Sequence, residues 1–363
     1  MAQTLFDAVH GRLLSLIPRF GLGEKAPAIL EAYRLICAES LSLPVGDQRP
    51  ELCRINRDGT AIQFSLALSH SRPASLQFLG EAGAPGLSYT KRISRGLEAI
   101  HEVAGLLGAR DELEAISDLL HRMTPRDESA LPEHGPGAYW IGVSFQVADA
   151  SALTIYVNSR LSSELGQWER MNAFTHYFGG LDTWRRVEPE LRGRMSPLGM
   201  AVTISPGRPA SGRVYFSAYG LGFDYYRGLL LKASDSEDRA TLYDRYIDAM
   251  VGEDRRYPAR SAVWSVEFET GGDSNIKFEL CAHCAFSSDA EAATQCESWL
   301  VSQGLDAELY RDIIKLLTAS RRLSNTTPPE LHAYTGVGQR RGESYSTFYL
   351  NPGPFLAGQN SSR

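Results

Sequence analysis

The stretch Leu153-Thr154-Ile155-Tyr156-Val157-Asn158 decides how this chain folds. Apolar Leu153, Ile155 and Val157 alternate with Thr154, Tyr156 and Asn158, a period of two that puts the two sets on opposite faces of a β-strand. Residues 139–147 read the same way, with Val143, Phe145 and Val147 opposing Ser144 and Gln146, and Ala148-Asp149-Ala150-Ser151 supplies the turn between them. Together they predict a hairpin with one oily face and one polar face.

Four more hairpins repeat this grammar. Strand pairs are expected over 61–68 and 75–79, 199–204 and 212–219, 262–269 and 275–281, and 331–337 and 345–350. Their turns are read at 69–73, at Pro206-Gly207-Arg208-Pro209, at Gly271-Gly272-Asp273 and at Gly336–Gly342. Between the pairs the period changes to that of a helix. Leu5, Val9, Leu13 and Leu16, then Ile29, Tyr33, Ile36 and Cys37, recur at three and four residues. Further helices are predicted over 89–107 and on to 122, over 162–178, up to 251, and over 289–301 and 307–321, with a loop at 126–137. The unit recurs every 60 to 75 residues or so.

The polar faces carry Gln63, Ser65, Gln77, Thr154, Tyr156, Arg213, Tyr215, Lys277, Glu279, Tyr345, Thr347 and Tyr349. An open, solvated sheet would favour lysine, glutamate and threonine there. Tyrosine, glutamine and serine suit the lining of a chamber. The expected fold is therefore α+β: a ten-stranded antiparallel barrel of five αββα repeats, helices outside and a polar chamber inside. No linker divides it, so 1–357 reads as one domain, with 358–363 a flexible tail.

Composition agrees. Of 363 residues, 43% are apolar and 22% charged, which fits a folded globular protein and excludes disorder or collagen-like repeats. A balance of 37 basic against 43 acidic residues, net −6, argues against nucleic acid or a membrane surface as partner while leaving room for a local basic pocket. No apolar run approaches the roughly 18 residues of a membrane span. Residues 1–20, with Asp7, His10, Arg12 and Arg19, lack a signal-peptide pattern, and five scattered cysteines predict a reduced cytoplasmic chain.

Several segments carry a resemblance. Asp58-Gly59-Thr60-Ala61-Ile62-Gln63-Phe64-Ser65-Leu66, the strand Leu153–Asn158, Gly212-Arg213-Val214-Tyr215-Phe216, and His332-Ala333-Tyr334-Thr335-Gly336 with Ser346-Thr347-Phe348-Tyr349-Leu350-Asn351-Pro352 resemble the dimethylallyltryptophan synthase family. These are aromatic prenyltransferases of the ABBA fold, and the chain is nearest in style to the bacterial members. The resemblance spans about residue 25 to 355 and follows all five hairpins in order. It implies a metal-independent transferase of secondary metabolism with no cofactor. Such an enzyme moves a dimethylallyl group from an allylic diphosphate to an indole or phenolic acceptor. The donor's departure leaves an allylic cation, so the site needs cationic groups for the diphosphate, tyrosine faces for the cation and a base for the acceptor's proton.

On this resemblance Tyr156, Tyr215 and Tyr349 fall on tyrosine-shield positions, and Arg213 replaces a diphosphate-binding lysine. Gln63 stands where the family has its acceptor-binding glutamate. Gln77, Thr154 and Ser211 stand where it has cations. Gln63 can hydrogen-bond the acceptor but cannot take its proton, so either the acceptor is self-activated, as a phenol is, or another carboxylate serves, with Glu279 and Glu267 the inward candidates by parity. Lys277, inward by parity, joins Arg213 as a donor ligand, and Arg72, Lys91, Arg92 and Arg340 lie where they could reach in from ends or loops. Three readings stay open: a prenyltransferase, the same chamber running a cyclisation or rearrangement without diphosphate, and a non-catalytic binding barrel.

Other motifs carry less. Cys281-Ala282-His283-Cys284 lacks a second Cys/His pair, and, if the strand continues past Cys281, parity turns Cys284 away from Cys281 and His283, so no metal is expected. The glycines of 336–342 follow no βαβ pattern, and no Gly-x-Ser-x-Gly elbow is present.

Overall fold

The hairpins form where apolar and polar residues alternate, because only a pleated strand sorts such a pattern onto two faces. A computed structural model describes residues 3–47, 53, 55–124, 137–158, 164–218, 220–234, 236–252, 262–269, 275–319, 322–340 and 342–356. Helices α1 (Leu5–Leu16) and α2 (Ala26–Cys37) precede strands β1 (Ile62–Ser69) and β2 (Ser75–Gly80). Helices α3 (Tyr89–Leu107), α4 (Arg110–Ala115) and α5 (Ser117–Met123) lead to β3 (Tyr139–Phe145) and β4 (Ala152–Asn158). Next come α6 (Glu164–Tyr177) and α7 (Leu181–Leu191), then β5 (Met195–Ser205) and β6 (Arg208–Ala218). Helices α8 (Phe223–Ser234) and α9 (Glu237–Val251) precede β7 (Ala262–Glu269) and β8 (Asn275–Cys281). The last unit holds α10 (Ala282–Ala285), α11 (Asp289–Ser302), α12 (Ala307–Leu317), β9 (His332–Arg340) and β10 (Glu343–Leu350).

All ten strands join one closed antiparallel barrel in sequence order, and β1 pairs with β10 from Phe64↔Leu350 to Ser69↔Tyr345. The oily face looks outward. Phe64, Phe78, Val214, Phe216, Phe278 and Phe348 are each at most 2% exposed beneath the helices. Phe216 sits 5.6 Å from the Trp168 ring, 6.0 Å from Trp184 and 6.2 Å from Trp264, joining two helices to two strands. Outward polar groups find partners in the helix layer: the Trp299 indole N–H donates to Ser346 at 2.8 Å. The Asp289 carboxylate, at the start of α11, accepts from the backbone N–H groups of Glu330, Leu331 and His332, which pins α11 to the entry of β9.

The helices begin and end for local reasons. Thr4, Ser288 and Asp306 side chains accept the backbone N–H three residues on, capping α1, α11 and α12. Helix α3 ends on Gly108 in the left-handed region (φ 73°), where a glycine costs least.

Differences from the sequence expectation are local. β5 and β6 run longer because Pro206-Gly207 alone makes their turn, with Gly207 at φ 67°. The glycines at 336 and 338 lie inside β9, not in a turn. Helix α7 was not expected; its Leu181, Trp184, Val187 and Leu191 have helical spacing, which Pro189 obscures. The helix beyond α3 is broken at Ile116, and α12 stops at Leu317. Residues 271–273, Tyr219 and the tail 358–363 lie outside the described residues.

Phe216→Ala should remove about 3–5 kcal/mol of stability, because its cavity is walled by three indoles that cannot collapse into it. Denaturant midpoints at unchanged slope will measure this.

Candidate active site

Inward positions of the strands enclose a cavity of about 820 Å³. Its mouth lies at the end where the hairpin turns gather, among Arg72, Asp149, Arg208, Arg340 and Glu343. The rim charges are largely matched. Arg208 meets Asp149 at 3.1 Å, and Glu343 accepts from the backbone N–H and hydroxyl of Ser71.

Below the rim, Arg213 on β6 faces Glu267 on β7, since the register sets the two opposite each other. One Glu267 oxygen accepts from Arg213 at 2.7 Å and from the Asn275 amide at 2.8 Å. The other accepts from Ser211 at 3.1 Å, with Arg340 at 3.8 Å. Burial alone would raise this carboxyl's pKa, but Arg213, then Arg340 and Asn275, outweigh it and hold the pKa down at about 2. Deeper still, Lys277 donates to Glu279 at 2.6 Å and to the Tyr349 hydroxyl at 2.5 Å, while that hydroxyl donates to Glu279 at 2.6 Å. Burial pulls the Lys277 ammonium below the usual lysine range, and Glu279 offsets only part of that.

Tyr156 and Tyr215 approach ring to ring at 5.9 Å beside this group, and burial raises the pKa of both phenols above the ordinary tyrosine value. Gln63 donates its amide to Asn56 at 3.0 Å, and Asn56 is itself fixed by donating to the carbonyls of Thr60 and Ile62. Gln77 accepts from Ser65 at 3.1 Å and donates to Ser75 at 2.8 Å, and Thr154 bonds Thr203 at 3.0 Å. Gln77, Thr154 and Ser211 are thus uncharged, hydrogen-bonded wall. Among the described residues the buried oxygens of Asn275 and Thr347, both lining the cavity, have no hydrogen-bond partner, which leaves polar atoms for a guest or solvent to satisfy.

Glycines make the room. A Cβ on Gly336 would stand 2.8 Å from Glu279 Cγ and from the Phe278 carbonyl, and one on Gly338 would stand 2.5 Å from the Tyr345 hydroxyl. Their shared inward parity was the signal in the sequence: two wall positions left empty so that Glu279 and Tyr345 can lie across β9. Tyr345 also lines the cavity, beside the other three tyrosines, and its hydroxyl accepts from the Asn275 amide at 3.4 Å. Asn56 and Asn275, short polar residues with no motif around them, were not legible beforehand.

Some expected cations are elsewhere. Lys91 is exposed on α3, and Arg92 is buried outside the cavity against Glu81 at 2.8 Å. The parity argument about Cys284 also fails. Strand β8 stops at Cys281, the turn of α10 carries Cys284 back, and the donor atoms of Cys281, His283 and Cys284 lie within 4.8 Å of one another. Among the described residues no helix is long and apolar enough to cross a membrane.

The sequence matches no family model and no curated protein. Solved structures share the fold. The 6-dimethylallyltryptophan synthase of Micromonospora olivasterospora, in complex with DMASPP and Trp, is 18% identical over 98% of this chain and 99% of its own, with a TM-score of 0.81. The 5-dimethylallyltryptophan synthase of Streptomyces coelicolor is 19% identical over 98% of this chain and 100% of its own, at 0.83. Prenyltransferase PriB, in a ternary complex with L-tryptophan and dimethylallyl thiolodiphosphate, is 18% identical over 97% of both chains, at 0.79. The chain has the ABBA barrel of these proteins.

Gly336→Ala should cost about 1–3 kcal/mol, since the carbonyl it meets is fixed by the sheet. Gly228→Ala, in α8 with nothing within 4 Å, should be neutral or stabilising. Thermal melts of the two variants test this. Glu267 is also a source of acid sensitivity. Its folded pKa is depressed, so its contribution is complete above the unfolded glutamate value of roughly 4.3 and fades as pH falls towards 2. The stability gap between wild type and Glu267→Gln should therefore shrink across that window, as measured by chemical unfolding at each pH.

Proposed function

We propose that the chain is an aromatic prenyltransferase. In this reading it transfers a dimethylallyl-type group from an allylic diphosphate to an indole or phenolic acceptor. The observation that carries the reading is the meeting of Tyr156, Tyr215 and Tyr349 with a buried carboxylate, Glu279, inside a closed barrel. The carbon–oxygen bond of the donor ionises, the diphosphate takes both electrons, and the tyrosine faces stabilise the allylic cation while the walls exclude water. The acceptor ring attacks the cation, and the proton it then sheds goes to Glu279. Gln63, held by Asn56, orients the acceptor. Arg213, Lys277 and Arg340 receive the diphosphate on the side of the mouth. A cavity of about 820 Å³ has room for both guests. The five free cysteines support a cytoplasmic setting, and we read 1–357 as one functional unit.

A second reading has its own support. Arg213 and Lys277 already hold carboxylates, and Gln77, Thr154 and Ser211 carry no charge. A chamber so neutralised suits a cyclisation or rearrangement of an aromatic intermediate that bears no diphosphate.

Calorimetry with dimethylallyl thiolodiphosphate separates the two. Prenyl transfer requires saturable binding, at least about tenfold tighter in Glu267→Gln, where Arg213 is released. Glu279→Gln, which likewise releases Lys277, should bind the donor at least as tightly as wild type and lose about a hundredfold or more in turnover. No heat at millimolar ligand in either protein, with turnover of an aromatic intermediate in the absence of donor, moves the assignment to the second reading.

A further inference from the structure

At the foot of β8, beyond the Lys277–Glu279 pair, three metal-binding side chains come together on a single turn. The strand leaves Cys281 in an extended conformation (φ −72°, ψ 111°) and enters α10 at once. A turn brings residues three apart to the same side, which is how Cys284 returns to Cys281. His283 Nδ1 lies 2.8 Å from Cys281 Sγ, and all three donor atoms fall within 4.8 Å of one another.

We propose that Cys281, His283 and Cys284 form a binding site for zinc(II), with two thiolates, one imidazole and an open fourth position. Zinc–sulfur and zinc–nitrogen bonds of about 2.3 and 2.0 Å place tetrahedral donors roughly 3.5–3.8 Å apart. The cluster reaches that spacing by small side-chain rotations, closing its widest gap and opening the Cys281–His283 contact. The donor set is a soft one, matched to zinc and not to magnesium or calcium. Two thiolates neutralise the ion, so a site with Cys281 buried carries no net charge from its ligands and metal. Cys281 is buried, whereas His283 and Cys284 are half-buried, so an ion can enter from solvent. A disulfide would use the two sulfurs and leave the histidine without a role; the third donor is what favours a metal. No other group of three metal-binding side chains occurs among the described residues. Cys281 also lies two residues from Glu279 and opposite Tyr334 of β9, so the ion would tie β8 to its following turn at the base of the chamber. This inference is independent of the proposed reaction.

The test uses the full-length, reduced protein, loaded with zinc, dialysed and analysed by elemental mass spectrometry and chelator competition. One zinc per chain is expected, with a raised melting temperature. Cobalt(II) in its place should show thiolate-to-metal charge-transfer absorption. Cys284→Ser, at a half-exposed position that tolerates serine, should abolish retention, and His283→Gln should weaken it at least about tenfold. Circular dichroism confirms folding, and Cys296→Ser should leave zinc unchanged. Absence of retained zinc in reduced wild type, equal retention in Cys284→Ser, or a cobalt spectrum without thiolate charge transfer would overturn the assignment. So would recovery of a Cys281–Cys284 disulfide in place of bound metal.

Discussion

Pairing of β1 with β10 is the constraint from which the rest follows. An open sheet with these two faces would leave one to water and one to the helices, and its edges would offer unpaired amides. Closure converts the polar face into an interior. Every inward side chain must then be satisfied by its neighbours or by a guest, since bulk water no longer does so freely. The hydrogen-bonded pairs Ser65–Gln77 and Thr154–Thr203, and the Asn56–Gln63 contact, are the neutral part of that settlement. The glycines of β9 are its steric part.

Charge is the costlier part. A lysine or arginine taken out of water is tolerable only beside a counter-charge with its other donors bonded. Here the two cations below the rim are each matched by a carboxylate within three ångströms: Arg213 by Glu267 on the adjacent strand, Lys277 by Glu279 along its own. The two pairs differ in kind. Glu267 has four polar neighbours that hold its pKa down at about 2, so around neutrality it behaves as fixed counter-charge. Glu279 shares one oxygen between Lys277 and the Tyr349 hydroxyl, a looser arrangement with fewer partners.

Much of this was legible from the chain. The alternation in Leu153–Asn158 and its counterparts gave the strands, their inward sets and the closed barrel, because the period of two is a direct record of the pleat. Arg213, Tyr215, Lys277, Glu279 and Tyr349 all lie inward, as their parity requires. What parity could not give was whatever depends on where a strand stops or on which neighbour a side chain chooses. Gly336 and Gly338 looked like a turn because glycine weakens strands in general, and only the bulk of Glu279 and Tyr345 explains them. Strand parity does not apply to Cys284, because β8 ends at Cys281, three residues short of it, and the chain turns at once into α10. Arg92 is near the barrel in sequence yet spent on Glu81, eleven residues earlier, a pairing across the loop between β2 and α3 that neither the strand period nor the helix period records.

The pre-formed ion pairs also decide what kind of event ligand binding must be. A guest with two or three negative charges does not find a bare cationic pocket; it competes with Glu267 for Arg213, and the displaced carboxylate must be met by Asn275, Ser211 and Arg340, which already surround it. Binding is then an exchange of one anion for another at nearly constant charge, so its selectivity rests on geometry. An anion that bridges Arg213 to Arg340 gains from both, while a smaller one gains no more than Glu267 provides. The neutral residues at 77, 154 and 211 sharpen this contrast, because they offer a diphosphate hydrogen bonds but no compensating charge. A neutral aromatic guest would avoid the exchange and face Gln63, the tyrosines and Thr347, which line the cavity. Under the proposed reaction, then, the aromatic acceptor meets uncharged wall, while the anionic donor has to displace a carboxylate to bind.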